Sequence, residues 1–256
     1  DLAVSGAKPL YISVGFIIEE GFPLQDLRTI VKSMAKAAKL ANVMIVTGDT
    51  KVVEKGKGDG IFINTSGIGV IEDEVNLKPE FQLGDKIIIS GSIADHGMAI
   101  MSQRQGLNFT TDIISDCAPL NHLIHEVLSI SSAVRCMRDP TRGGISATLN
   151  EWASFFQLGI NLQEEHILVN ENVRGLCEIL GLDPLHVANE GKVLITCAGS
   201  DADTIIAKLR QNPLGKNAAV IGEVVSIDEG FVTMTTNFGG IRRVDWLSGE
   251  QLPRIC

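Results

Sequence analysis

Val43-Met44-Ile45-Val46-Thr47-Gly48-Asp49 decides the fold class. Its apolar, β-branched run reads as a short buried strand that stops at Gly48-Asp49. On its N-terminal side, Leu24, Leu27, Ile30, Val31, Met34 and Ala38 recur at helical spacing behind Pro23, which predicts an amphipathic helix. Further back, Leu10 to Ile18 is rich in β-branched and aromatic residues and suits a strand. On the other side, Lys55 to Gly60 reads as a hairpin loop and Ile61 to Ile71 as the next strand. The order β-α-β-β predicts an α/β protein.

A boundary falls where Lys78-Pro79-Glu80 interrupts the pattern, so residues 1–84 read as one domain and 85–244 as a second. The second unit opens with a strand at Lys86 to Ser90. Helices are predicted over 97–104, 120–129, 144–156, 170–180 and 202–210, and strands over 192–197, 218–225, 231–236 and 241–244. In the helix from Gly144, the stripe Ile145, Leu149, Trp152, Phe156 belongs to a core. Residues 245–256 read as a polar tail.

Composition narrows the classes of function. Of 256 residues, 45% are hydrophobic, 21% charged and 5% aromatic, with 26 glycines, which suits a turn-rich globular protein. The formal charge of −9 comes with no basic cluster, so a nucleic-acid partner is not expected. No apolar run approaches the roughly 20 residues of a membrane span. The five cysteines (Cys117, Cys136, Cys177, Cys197, Cys256) form no C-x-x-C pair, which argues against structural zinc and against a secreted disulfide framework. Cys177 and Cys197 sit in apolar runs as small buried hydrophobes, and a reduced, cytoplasmic protein is expected. The five histidines lack a metal-ligand spacing; His122 and His125 alone are too few.

Neither a Walker A loop nor a G-x-G-x-x-G turn is present. Two other segments suit a phosphate group. Thr47-Gly48-Asp49-Thr50-Lys51 stands at the end of the predicted strand and offers a carboxylate, a hydroxyl and an ammonium; it reads equally as a polar turn with a solvated lysine. Arg138-Asp139-Pro140-Thr141-Arg142-Gly143-Gly144 leads into a helix whose N-terminal amides form an anion site, with Asp139 for a metal and Arg142 for phosphate oxygens. Thr141 would also serve as an ordinary cap, but the whole cluster exceeds what capping needs. Asn189-Glu190-Gly191 is by itself a solvated acidic turn. Cys256 reads as a thiol on a frayed end or as a tethered nucleophile.

Together these segments resemble the HypE family of hydrogenase maturation factors, within the aminoimidazole-ribonucleotide-synthetase-like superfamily. The likeness runs the whole length, in order. It is carried by Asp1-Leu2-Ala3-Val4-Ser5-Gly6-Ala7-Lys8-Pro9, Val46-Thr47-Gly48-Asp49-Thr50-Lys51-Val52-Val53, Arg138 to Gly144, Ala188-Asn189-Glu190-Gly191-Lys192 and the terminal Pro253-Arg254-Ile255-Cys256. The resemblance implies the two-domain superfamily fold with a flexible C-terminal tail. It also implies ATP-dependent dehydration of a carbamoyl group on Cys256 to a thiocyanate, which becomes the cyanide ligand of [NiFe]-hydrogenase iron. It places Asp49, Thr50, Lys51, Asp139, Thr141, Arg142 and Gly143 at ATP, and Asp1, Asp49 and Asp139 at Mg²⁺. Lys51 is expected to stabilise charge near the γ-phosphate and the carbamoyl oxygen, Glu190 to be the base, and Cys256 the covalent anchor. Implied partners are a HypF-like carbamoyltransferase, a HypC/HypD-like iron scaffold and a second copy of the chain, in the cytoplasm. Family members begin with a further segment of the ATP site, whereas this chain starts inside the first motif at Asp1, so a truncated chain with an incomplete nucleotide site is expected. Two other functions are compatible with the motifs. One is another ATP-dependent superfamily enzyme, such as an aminoimidazole ribonucleotide or selenophosphate synthetase; the other is a non-catalytic carbamoyl or cyano carrier.

Overall fold

The structure, a computed structural model, describes residues 1–73, 75, 77–104 and 112–246. The chain divides into two compact units. The smaller holds Leu2 and Gly6–Val75. Its centre is strand β1 (Ala7–Glu19), followed by helix α1 (Leu24–Ala41) and strands β2 (Met44–Val53) and β3 (Ile61–Ile71). The sheet order is β2-β1-β3, with β2 parallel and β3 antiparallel to β1. Pro23, at φ −64°, sets the start of α1, and Asn42, at φ 53°, closes it in the left-handed conformation.

Three expectations for this unit are corrected. The strand read as ending at Gly48-Asp49 runs on to Val53, because β1 offers it backbone partners from Tyr11 through Glu19, pairing Val14 with Gly48 and Ile17 with Lys51. Gly48 is there for close approach and not for a turn: a Cβ on it would lie 2.2 Å from the Val14 carbonyl oxygen. Nor is this strand buried, since Met44, Ile45 and Val46 are exposed at the sheet edge. Finally, Lys55 to Gly60 is no hairpin loop, because β1 lies between the strands it joins. The Glu19 carboxylate anchors it instead, accepting from the Gly56 and Gly60 amides at 2.6 and 3.3 Å.

The larger unit takes Asp1, Ala3–Ser5 and the chain from residue 76 onward. In chain order it contains β4 (Lys86–Ile89), α2 (Asp95–Arg104), α3 (Asn121–Leu128), β5 (Val134–Arg138), α4 (Gly144–Phe156), β6 (Gly159–Gln163), α5 (Glu171–Leu180), β7 (Leu194–Cys197), α6 (Ala202–Leu209), β8 (Ala219–Ser226), β9 (Phe231–Thr235) and β10 (Ile241–Arg243). One sheet runs β10-β9-β6-β8-β4-β7-β5, parallel only between β6 and β9. The period of two along β4 sorts its side chains between two cores. Ile87 and Ile89 pack with Ile145, Leu149 and Trp152 of α4; Ile88 packs with Leu123 and Val127 of α3 and Ile205 and Leu209 of α6. Both faces of the sheet are thus covered by helices. A third cluster joins α2 to α5 through Met98, Met101, Val173 and Leu176.

Strands β5 and β6 escape the sequence reading. Each carries few apolar residues, as in Gly159-Ile160-Asn161-Leu162-Gln163, where Ile160 and Leu162 are fully buried. Their pairing with β7, β8 and β9 makes them strands, and pairing is a long-range property.

Candidate active site

Strand β5 delivers the chain at Arg138 into the loop Asp139-Pro140-Thr141-Arg142, which turns through Gly143 (φ 79°) and Gly144 (φ 63°) into α4. Gly143, not Thr141, occupies the N-cap, and no side chain makes a capping hydrogen bond there. The Thr141 carbonyl instead accepts from the Gly144 amide at 2.9 Å. Two successive left-handed glycines lead into the positive end of a 13-residue helix, a terminus that favours an anionic oxygen. Arg138 is engaged elsewhere, in an ion pair with Glu151 of α4, while Arg142 is exposed and Thr141 half-buried.

The Asn189-Glu190-Gly191 turn is tied to this loop. Asn189 is fully buried. Its Nδ2 donates to the carbonyls of Pro140 (3.0 Å) and Val187 (3.1 Å), and its backbone N–H also reaches the Pro140 carbonyl at 3.2 Å. Its Oδ1 accepts from the amide of Ala94 at 2.8 Å. Ala94 is a buried non-glycine residue at φ 72°, strain that this hydrogen bond helps hold. Glu190 is half-buried, and its Oε1 is shielded from solvent with no hydrogen-bond partner among the described residues. The same is true of Nε2 of His96, whose Nδ1 meets Ser115 Oγ at 2.9 Å. Burial pushes the Glu190 carboxyl above its ordinary value; the nearby His96 opposes this, Asp116 and Asp139 add to it, and the N-terminal amine opposes it. A carboxylate so placed is a better proton acceptor than an exposed one.

Asp139, Thr141, Arg142, Gly143 and Glu190 therefore belong to the larger unit, as does Asp1. Asp49, Thr50 and Lys51 belong to the smaller, on β2 and exposed. The alternation of a strand places Asp49 and Lys51 on one face and Thr50 on the other; the Thr50 amide donates to Asp49 Oδ1 at 2.8 Å. Cys256 lies outside the described residues, as do residues 247–256 generally. Among the described residues no group of three or more His, Cys, Asp or Glu side chains is arranged to hold a metal ion, and no helix is long and apolar enough to cross a membrane. Cys177 and Cys197 are buried, and burial pushes their thiols up to about 11 and about 12.

His96 and Asp116 went unnoticed in the sequence because neither sits in a phosphate-like or nucleophile-like motif. Lys192, part of the Ala188–Lys192 stretch, carried no role there. It donates to Asp116 Oδ2 at 2.8 Å and stands 3.9 Å from Asp95 Oδ2.

Two family models match the chain: the AIR synthase related protein N-terminal domain over residues 1–71 and its C-terminal domain over residues 82–235. Carbamoyl dehydratase HypE of Bradyrhizobium diazoefficiens is 55% identical over 258 residues, which cover 100% of this chain and 75% of that protein. A crystal structure of the hydrogenase maturation protein HypE in complex with ATP is 46% identical with a TM-score of 0.94, over 99% of this chain and 77% of that one. A HypE–HypF complex contains a chain 49% identical with a TM-score of 0.91, over 95% of this chain and 80% of that one. These similarities extend through both units, and this chain belongs to the carbamoyl dehydratase HypE family.

Proposed function

We propose that the protein dehydrates an S-carbamoyl group carried on Cys256 to a thiocyanate, using ATP, in the maturation of a [NiFe]-hydrogenase. The observation that carries this reading is the shielded Oε1 of Glu190, without a hydrogen-bond partner among the described residues, on a turn hydrogen-bonded through Asn189 to the loop that leads into α4. ATP supplies the phosphoryl group that converts the amide oxygen into a leaving group. Two protons must leave the nitrogen: Glu190 accepts one, and the departing phosphate carries away the other. The α4 amides with Thr141, Arg142 and Gly143 bind phosphate oxygens, and Lys51 stabilises charge near the γ-phosphate and the carbamoyl oxygen. Mg²⁺ is commonly held by one or two carboxylates together with substrate phosphates. Asp139, on the glycine-rich loop, fits that demand, with Asp49, Thr50 and Asp1 assigned to the same ATP–Mg²⁺ chemistry.

A HypF-like carbamoyltransferase would load Cys256, and a HypC/HypD-like scaffold would receive the cyanide, in the cytoplasm. A homodimer joined through the β2-β1-β3 sheet is supported by the exposed apolar side chains that this sheet carries, among them Tyr11, Ile45, Phe62 and Ile68. The test is mass spectrometry of the C-terminal peptide after incubation with the carbamoyltransferase, carbamoyl phosphate and ATP. Carbamoylation followed by ATP-dependent loss of one water is expected. A carbamoylated peptide that keeps its water in the full-length protein would leave only the carrier function.

A further inference from the structure

We propose that Asp116 is a positioning residue for Glu190, holding the base in place and keeping its surroundings negative; this rests on Glu190 being the proton acceptor. Asp116 lies in the irregular stretch 112–120 ahead of α3, far from any motif in the sequence. Its side chain is only 4% exposed, and both carboxylate oxygens are used on the same turn. Oδ1 accepts from the Glu190 amide at 3.0 Å, and Oδ2 accepts from Lys192 Nζ at 2.8 Å. One carboxylate thus grips residues on either side of Gly191.

The backbone of Asp116 completes the grip. A Cβ on Gly191 would stand 1.7 Å from the Asp116 carbonyl oxygen and 2.7 Å from its carbonyl carbon, so glycine is the residue that lets the two segments touch. On its other side the turn is fastened by Asn189 to Pro140, next to Asp139. Glu190 is therefore suspended between two fixed points, one of them the phosphate-type loop. Fixing its amide fixes Cα and the direction from which the carboxylate enters the site, and misplacement of a reacting group by about 1 Å costs on the order of 100-fold in rate.

The charge of Asp116 acts in the same direction as burial on Glu190, together with Asp139; His96 and the N-terminal amine act against them, and the Cys117 thiol stands beside the pair. A buried aspartate could instead serve only to neutralise Lys192, and two substitutions separate these roles. Asp116→Asn keeps an acceptor for the Glu190 amide and removes the charge, whereas Asp116→Ala removes both. Each full-length variant is carbamoylated on Cys256 by the HypF-like partner, and ATP-dependent water loss is followed in single turnover across pH, with ATP affinity measured separately.

The expected result is a roughly 10- to 100-fold slower dehydration in Asp116→Ala with ATP affinity unchanged. Asp116→Asn should keep more of the rate and show an acidic limb displaced to lower pH, because a like charge has been removed. Parent-like rates and an unmoved limb in both variants overturn the proposal, as does a limb displaced to higher pH. If Asp116→Ala fails to fold, the limb of Asp116→Asn decides alone. Glu190→Gln tells the two readings apart: normal dehydration in that variant removes the base and Asp116 with it. An inactive Glu190→Gln beside parent-like Asp116 variants removes only Asp116.

Discussion

Gly144 stands where the Leu185 carbonyl oxygen leaves no space for a side chain: a Cβ at this position would lie 2.4 Å from that oxygen and 2.7 Å from the carbonyl oxygen of Val187. The first turn of α4 is thereby pressed against the segment leading into Asn189 and Glu190, and the helix terminus that suits an anion is held to the turn that carries the base. Gly144→Ala meets both this contact and a φ of 63°. It should destabilise the protein by about 2–4 kcal/mol, combining overpacking with left-handed strain. A lowered denaturation midpoint at unchanged m-value, with weakened ATP binding, checks this.

Glu190 links catalysis to stability with opposite signs. Its folded-state pKa is raised above the ordinary carboxylate value, so the native state holds more protons than the unfolded chain between those two values. Stability attributable to this group therefore falls as pH rises through that window and stays lowered above it. Glu190→Gln should abolish water loss from the carbamoylated Cys256 while raising Tm at pH 7. The gain in Tm should shrink as pH falls below the ordinary glutamate value. Thermal unfolding at several pH values, paired with the mass assay, reads both effects.

Thiol reactivity should follow burial. In a Cys256→Ser background, Cys117 is the exposed thiol among the described residues, although burial of its sulfur and the neighbouring Glu190 and Asp116 charges raise its pKa and slow it. Cys136 is pushed up to about 11, and Cys177 and Cys197 to about 11 and about 12. A disulfide reagent at pH 8 should label Cys117 first, and Cys177 and Cys197 only on denaturation. Peptide mapping of the labelled protein tests the order.

Leu149 is fully buried in the cluster that seats α4 on the sheet, beside Ile87, Ile145 and Ile160. Leu149→Ala should cost about 2–5 kcal/mol through lost burial and the cavity left behind. Because this same helix presents the anion site, ATP affinity should fall alongside stability, whereas the surface substitution Phe155→Ala, at a side chain 81% exposed, should leave both near the parent values. Urea denaturation and equilibrium ATP binding measure the pair.

Periodicity was enough to find α1, whose apolar residues recur at helical spacing, and β3, whose bounds of 61 and 71 match the expectation. It was enough for α4 as well, where Ile145, Leu149 and Trp152 line the core. It misled at Gly48-Asp49, because a glycine that permits close approach to Val14 is indistinguishable in sequence from one that makes a turn. The motif around Asp139 was visible because glycines, a carboxylate and arginines lie within seven residues; Asp116 and His96 were not, because each meets Glu190 only across a long stretch of chain.

The sequence by itself determined the α/β class, the family and the identity of the chemical groups, since those depend on local spacing and on residue type. Tertiary structure alone decided that β1 lies between β2 and β3, that Gly143 rather than Thr141 caps α4, and that Asp116 holds the Glu190 amide while Asn189 ties the same turn to Pro140. Strand pairing, a glycine pressed against a distant carbonyl and a half-buried carboxylate whose Oε1 has no hydrogen-bond partner among the described residues all arise from contacts between residues far apart in the chain, where no local pattern records them.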